Sequence, residues 1–161
     1  RLSVKSSAPV SSYSSRRAEP MGEGEFHLVV YAWIRGGDGR YLLTKRSPNK
    51  GYPNMWECTG GSALAGDDSL TAALREVREE TGLRLDPMRG RRVASHRVAG
   101  RFEDVWLFER DVALDELTLQ EGETCGAMLT RADEILELRR EGRMAPTGSF
   151  ELAELLKLME G

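Results

Sequence analysis

The longest apolar pattern in the chain is FHLVVYAWI, residues 26–34, in which only His27 interrupts a series of aliphatic and aromatic side chains. A run of this length and composition predicts a strand buried on both faces. Beyond Gly36-Gly37-Asp38-Gly39, the stretch RYLLTKR predicts a second strand, returning across that glycine turn as the partner of the first. Residues 47–55, with two prolines and a glycine, read as a loop. WECTG predicts a short strand that delivers Gly60 and Gly61 to the next loop. The apolar period then changes to that of a helix, with Leu70, Leu74, Val77 and Thr81 on one face. Asp67, Asp68 or Ser69 can cap its start, and Gly82 followed by Leu83 marks its end. RRVASHRV, FEDVWLFER and TCGAMLT predict three more strands, and RADEILELRR and SFELAELLKLME two amphipathic helices.

Strands interleaved with helices in this way predict an α/β chain, and 161 residues suit one domain with a sizeable core. Hydrophobic residues make up 40% and charged residues 30%, a composition typical of globular proteins. The net charge of −3 argues against a surface built to coat nucleic acid, and no nucleic-acid partner is expected. The apolar runs are too short to span a bilayer, so no membrane partner is expected either. Cys58 and Cys125 make no disulfide framework, which predicts a reducing, cytoplasmic setting. Residues 1–23 are rich in Ser, lack periodicity and lack the apolar core of a signal peptide; a flexible arm is expected there, with the folded domain over 24–161. The chain is compatible with a homodimer, although no feature specifies one.

The chemistry concentrates in GSALAGDDSLTAALREVREETGL, residues 61–83. Glu76, Glu79 and Glu80 stand at i, i+3 and i+4, so their carboxylates share one helix face, expected opposite the apolar one. Such like-charged neighbours cost a helix about 0.2–0.5 kcal/mol per pair unless a positive charge sits among them. Taken alone, the trio describes a solvated helix face. A divalent cation is the strongest candidate for a compensating charge.

The spacing of the whole segment resembles the Nudix box, G-x5-E-x7-R-E-U-x-E-E-x-G-U with U aliphatic. Gly61, Arg75, Glu76, Val77, Glu79, Glu80, Gly82 and Leu83 fall in place, while Asp67 stands where the family usually has Glu. The resemblance implies a Nudix-type α/β/α sandwich with a mixed sheet and a loop-helix-loop catalytic motif. It also implies a metal-dependent hydrolase that cleaves a diphosphate (pyrophosphate) linkage, in a nucleoside diphosphate linked to another moiety or in a related small molecule. Mg²⁺ is the implied ion, with Mn²⁺ as a substitute. Glu76, Glu79, Glu80 and the Gly61 carbonyl are its implied ligands, and Arg75 is expected to hold a glutamate by bidentate hydrogen bonding. Ala72, one turn earlier, is expected to leave room for metal and phosphate. Asp67 is expected near the helix N-terminus, where loss of a cap would lower stability.

Outside the box, Nudix enzymes often recruit a later acid as ligand or general base. Here LQEGET offers Glu121 and Glu123, and Glu123 is preferred because it immediately precedes a strand. Arg46 and Lys50 frame the 47–55 loop and are candidates for substrate phosphates, with Lys45 pointing to the other sheet face. Trp56, His27 and Cys58 have structural roles as their simplest reading. The N-terminal half is also similar to isopentenyl-diphosphate isomerases through HLVVYAWI, LLTKR, Pro53 and Trp56. Where those enzymes place a catalytic Cys and, two residues on, a metal-binding His, this chain has Gly60 and Ser62. A ligand-sensing module without catalysis is a further alternative, but such modules typically lose box glutamates that are present here. No motif selects the group attached to the diphosphate.

Overall fold

The computed structural model describes residues 3–4 and 25–161. Alternation along the strands sorts their side chains into two apolar layers with a mixed sheet between them. Among the described residues the strands are β1 (Ser3–Val4), β2 (Glu25–Arg35), β3 (Tyr41–Arg46), β4 (Trp56–Glu57), β5 (Thr59–Ser62), β6 (Gly90–Val98), β7 (Arg101–Glu109) and β8 (Thr124–Thr130). The helices are α1 (Ser69–Thr81), α2 (Ala132–Arg140) and α3 (Leu152–Glu160). On one face Tyr31, Trp33, Tyr41, Leu43, Val105 and Leu107 pack against Ile135 of α2 and Leu152, Leu155 and Met159 of α3. On the other face Val30, Ala32, Ile34, Leu42 and Phe108 receive Ala72, Ala73 and Val77 of α1. This is the expected α/β/α sandwich.

β2 is the hub. It runs parallel to β7 from His27↔Arg101 to Arg35↔Glu109, and β7 carries β6 antiparallel on its far side. On its other edge β2 pairs antiparallel with β5, from Val29↔Ser62 to Ala32↔Thr59. The expected β2–β3 partnership is confined to Arg35↔Tyr41. Past that pair the strands diverge, because β5 takes the place beside β2 while β3 pairs with β4 and β8. The expected strand WECTG is accordingly split at Cys58, its first part serving β3 and its second β2.

Ser3–Val4 pairs parallel with the start of β2, and the rest of the 1–23 segment lies outside the described residues. Among the described residues no helix is long and apolar enough to cross a membrane.

Candidate active site

α1 begins at Asp68, whose side chain accepts the Thr71 N–H at 2.7 Å, so of the three candidate caps Asp68 is the one used. It ends at Gly82 in the left-handed region (φ 76°), whose N–H reaches the Arg78 carbonyl at 2.9 Å. Asp67 therefore lies outside the helix. Its Oδ2 accepts the Leu64 N–H at 3.1 Å and Arg75 Nη2 and Nε at 3.1 and 3.4 Å. The departure from the family pattern is thus a tie between the loop and Arg75 rather than a cap.

Of the three glutamates expected opposite the apolar face, Glu79 is exposed there, Glu80 is partly buried and Glu76 is buried. Ala72, Ala73, Glu76 and Val77 are all buried, and Leu70 and Leu74 are only partly so. The row Ala72–Glu76 faces inward, and Glu80, one turn on, is partly buried. Gly61 is the reason Glu76 can face inward: a Cβ there would stand 2.4 Å from the Glu76 carboxyl carbon, so only a glycine leaves room for that carboxylate. Ala72, expected to line open space for phosphate, is instead fully buried in the α1 layer, where its small side chain lets the helix approach the sheet.

Arg75 organises the middle of this row. Its Nη1 lies 3.0 Å from Glu76 Oε1 and 3.6 Å from Glu79 Oε2, while Nη2 donates to the Ser62 carbonyl at 3.2 Å. The forked pair of donors, Nε and Nη2, meets Asp67 and not a glutamate, so Glu76 is held by one hydrogen bond rather than the expected two.

A second carboxylate group forms where α1 ends. The Gln120 N–H donates to the Glu80 carbonyl (3.2 Å) and the Thr118 N–H to the Thr81 carbonyl (2.9 Å), which lays residues 118–123 across the helix terminus. Glu123 then meets the ammonium of Lys50, and its carbonyl accepts the Ser47 N–H at 3.1 Å. Arg46 is turned inward, 4% exposed, with Nη1 on Glu57 at 2.7 Å and Nε on the Gly51 carbonyl at 2.6 Å. Lys45 takes the opposite face, over the Trp56 ring. Trp56 and Cys58 belong to the α2–α3 apolar layer, in line with their structural reading.

Glu57 was not singled out from sequence. The available signal was an acid inside the strand that leads to the glycine pair.

Burial pushes the Glu80 carboxyl well above its ordinary value, repulsion from Glu57, Glu76 and Glu123 adds to this, and Lys50 offsets part of it. Burial also raises Glu76 to about 7 against the pull of Arg75, and raises Glu57 against the pull of Arg46. Among the described residues no three carboxylate, imidazole or thiol groups form a ready-made cage for a metal. The donors nevertheless suit Mg²⁺, which takes hard oxygens and is usually held by a few carboxylates with waters and substrate phosphates completing the shell. Closely set, half-enclosed carboxylates whose ionised forms are disfavoured are what a divalent cation would stabilise.

A family model described as the NUDIX domain matches residues 25–149. An uncharacterised Nudix hydrolase of Listeria monocytogenes is 39% identical over 144 residues, covering 88% of this chain and 84% of that protein. A second from Listeria innocua is 38% identical over the same shares. Among solved structures, the crystal structure of DR0079 from Deinococcus radiodurans is similar with a TM-score of 0.67 and 25% identity, covering 88% of this chain and 87% of that one.

Proposed function

Because the chain belongs to the Nudix family of hydrolases, enzymes acting on phosphorus-containing acid anhydrides, we propose that it cleaves a diphosphate linkage with the help of Mg²⁺ or Mn²⁺. The substrate class is a nucleoside diphosphate linked to another moiety, or a related small molecule. The observation that carries this reading is the buried Glu76 against Gly61 and the partly buried Glu80 one turn on, with Glu57 and Glu123 beside them. We assign the catalytic domain to residues 24–161. A cytoplasmic setting fits the free thiols of Cys58 and Cys125.

In this reading Glu76, Glu79, Glu80 and the Gly61 carbonyl would hold the metal. The chemistry supplied by such an ion is neutralisation of phosphate charge and a lowered pKa for the attacking water. Arg75 keeps Glu76 oriented through the 3.0 Å contact and is itself fixed by Asp67 and the Ser62 carbonyl. Glu123 serves as general base, its Oε2 taking the proton of the water as the water oxygen bonds to phosphorus. The bridging P–O bond breaks and its electron pair leaves with the departing phosphate. Lys50, which pairs with Glu123, is the cation assigned to the phosphates. Arg46, enclosed by Glu57 and Gly51, holds the loop that carries Lys50.

The test is turnover of a panel of nucleoside-diphosphate compounds, with products identified by mass spectrometry. EDTA should abolish activity and Mg²⁺ restore it, and undiminished turnover in chelated enzyme refutes the metal mechanism. Glu80→Gln removes a partly buried charge while keeping shape, so the metal-free variant should melt at or above wild type while kcat falls by several orders of magnitude. Near-wild-type kcat for both Glu79→Gln and Glu80→Gln at saturating Mg²⁺ defeats the assignment of this face.

A further inference from the structure

Among the described residues only two that are not glycine have positive φ, Tyr52 at 51° and Asn54 at 59°, and both lie in the loop that carries Lys50. Asn tolerates the left-handed region through its short polar side chain. A tyrosine does not, and such a conformation persists only where its surroundings impose it. Here they do. Arg46 clasps the loop from both sides: its N–H donates to the Met55 carbonyl (2.9 Å), its own carbonyl accepts the Asn54 N–H (3.1 Å), and its Nε holds the Gly51 carbonyl. The Met55 N–H closes the turn on the Tyr52 carbonyl at 3.3 Å.

This enforced turn gains nothing from burial, because it leaves Tyr52 52% exposed. Met88, Leu114 and Leu158 are the other large apolar side chains exposed among the described residues, so Tyr52 is the one aromatic in that group. Its place in the loop is specific. Two residues earlier Lys50 reaches Glu123, and one residue earlier Gly51 is tied to the guanidinium that holds Glu57. Tyr52 therefore stands in the loop that borders the carboxylate site. Tyrosine offers a rigid π-face that loses little rotamer freedom on contact, and every nucleobase presents a matching face.

We propose that Tyr52 is a specificity-determining contact, its ring stacking on the nucleobase of a nucleoside diphosphate substrate while Lys50 and the carboxylates engage the phosphates. The proposal rests on the hydrolase reading above and narrows its substrate class to nucleotides. The strained turn presents the ring in advance, which reduces the ordering required when substrate binds.

The experiment compares wild type with Tyr52→Phe, Tyr52→Trp, Tyr52→Ala and Tyr52→Gly in two measurements. One is kcat and KM for a nucleoside diphosphate sugar and for an alkyl diphosphate that has no π system. The other is calorimetric binding of nucleoside monophosphates in Mg²⁺, which needs no turnover. Ala and Gly should weaken nucleotide binding and raise the nucleotide KM about tenfold, the loss of one stacked base. Their kcat should be unchanged, as should their alkyl-diphosphate KM, and Phe and Trp should behave as wild type. Tyr52→Gly should keep or raise Tm, since glycine relieves the left-handed strain. Wild-type nucleotide affinity in the Ala and Gly variants overturns the contact, as does an equal loss for the alkyl compound, or a wild-type protein that binds no nucleotide. If no diphosphate is turned over but the Ala variant still loses monophosphate binding, the hydrolase reading falls and the contact stands. If nucleotides are hydrolysed with unaltered KM in the Ala variant, the contact falls and the hydrolase reading stands.

Discussion

Replacing Gly61 by Ala tests the link between the loop and the glutamate row with the smallest change available. The new Cβ would lie 2.4 Å from Glu76 Cδ and 2.5 and 2.6 Å from its two oxygens. Ordinary carbon contacts begin near about 3.5 Å, so the carboxylate must retreat by about 1 Å. The retreat breaks the 3.0 Å contact with Arg75, and a hydrogen bond to a charged group contributes about 1.5–3 kcal/mol. Part of that loss returns. Burial already holds the Glu76 carboxyl up at about 7, so a carboxylate displaced toward water is relieved of some desolvation. A net destabilisation of about 1 kcal/mol is expected, a fall in Tm of roughly 2–4 °C for a domain of this size. Chemistry should suffer far more, because misplacing an active group by about 1 Å can lower the rate about 10²-fold. The assay is kcat/KM beside a thermal melt. Gly37→Ala, where a Cβ meets only Asp111 at 3.4 Å, serves as the control and should change neither. Glu76→Asp added to Gly61→Ala shortens the crowded side chain and should recover part of the lost rate. Wild-type kcat/KM in Gly61→Ala would refute the reasoning, and so would a collapse of Tm large enough to explain the lost activity by unfolding.

Two neighbouring aspartates should separate cleanly. Asp68→Ala removes the α1 cap and should lower stability by about 0.5–2 kcal/mol with activity largely kept, whereas Asp67→Ala frees Arg75 and should lower kcat/KM more than Tm; the reverse order in melts and kinetics sinks the assignment. Glu103, wholly buried on β7, supplies the pH dependence: burial alone would raise its carboxyl, but the Ser149 N–H and hydroxyl (2.9 and 2.7 Å) and Arg101 (2.5 Å) outweigh it and hold it below the ordinary 4.5. A depressed carboxyl contributes stability that is present above its unfolded value and is lost as pH falls through the folded one. Glu103→Gln should therefore lower stability by about 1–3 kcal/mol at pH 7 and flatten the fall in Tm below about pH 4.5; melts of the two proteins that stay parallel into acid would contradict this.

The continuous apolar run of β2 predicted a strand buried on both faces, and the structure sorts Val30, Ala32 and Ile34 to one layer and Tyr31 and Trp33 to the other. Helix ends were legible because cap chemistry is local: Gly82 takes the left-handed φ that ends α1. Pairing was less legible, since it is decided by competition among strands. The glycine turn 36–39 made β3 the natural partner of β2, yet hydrogen bonding along β2 goes to β5, the second part of the expected WECTG strand, whose partner no local signal names.

The same distinction governs the site. Spacing alone put Glu76, Glu79 and Glu80 on one helix and named Arg75 as their neighbour, because both depend only on helical geometry. How far that helix is turned against the sheet is a tertiary fact: the expected face of Leu70, Leu74, Val77 and Thr81 does pack on the core, but the buried sector extends round the helix to take in Glu76. The burial of Glu76 becomes intelligible once Gly61 is seen as the space into which its carboxylate fits. Desolvation would make an inward glutamate costly in an ordinary helix. The chain retains Glu76 in the buried sector, fixes it with Arg75 and ties residues 118 and 120 to the backbone at the helix end, and that arrangement has a physical rationale if a cation and a polyanionic substrate complete it. Glu57 follows from the same logic: it is the acid that holds Arg46, and through Arg46 the turn carrying Lys50 and Tyr52 is set at the border of the carboxylate site.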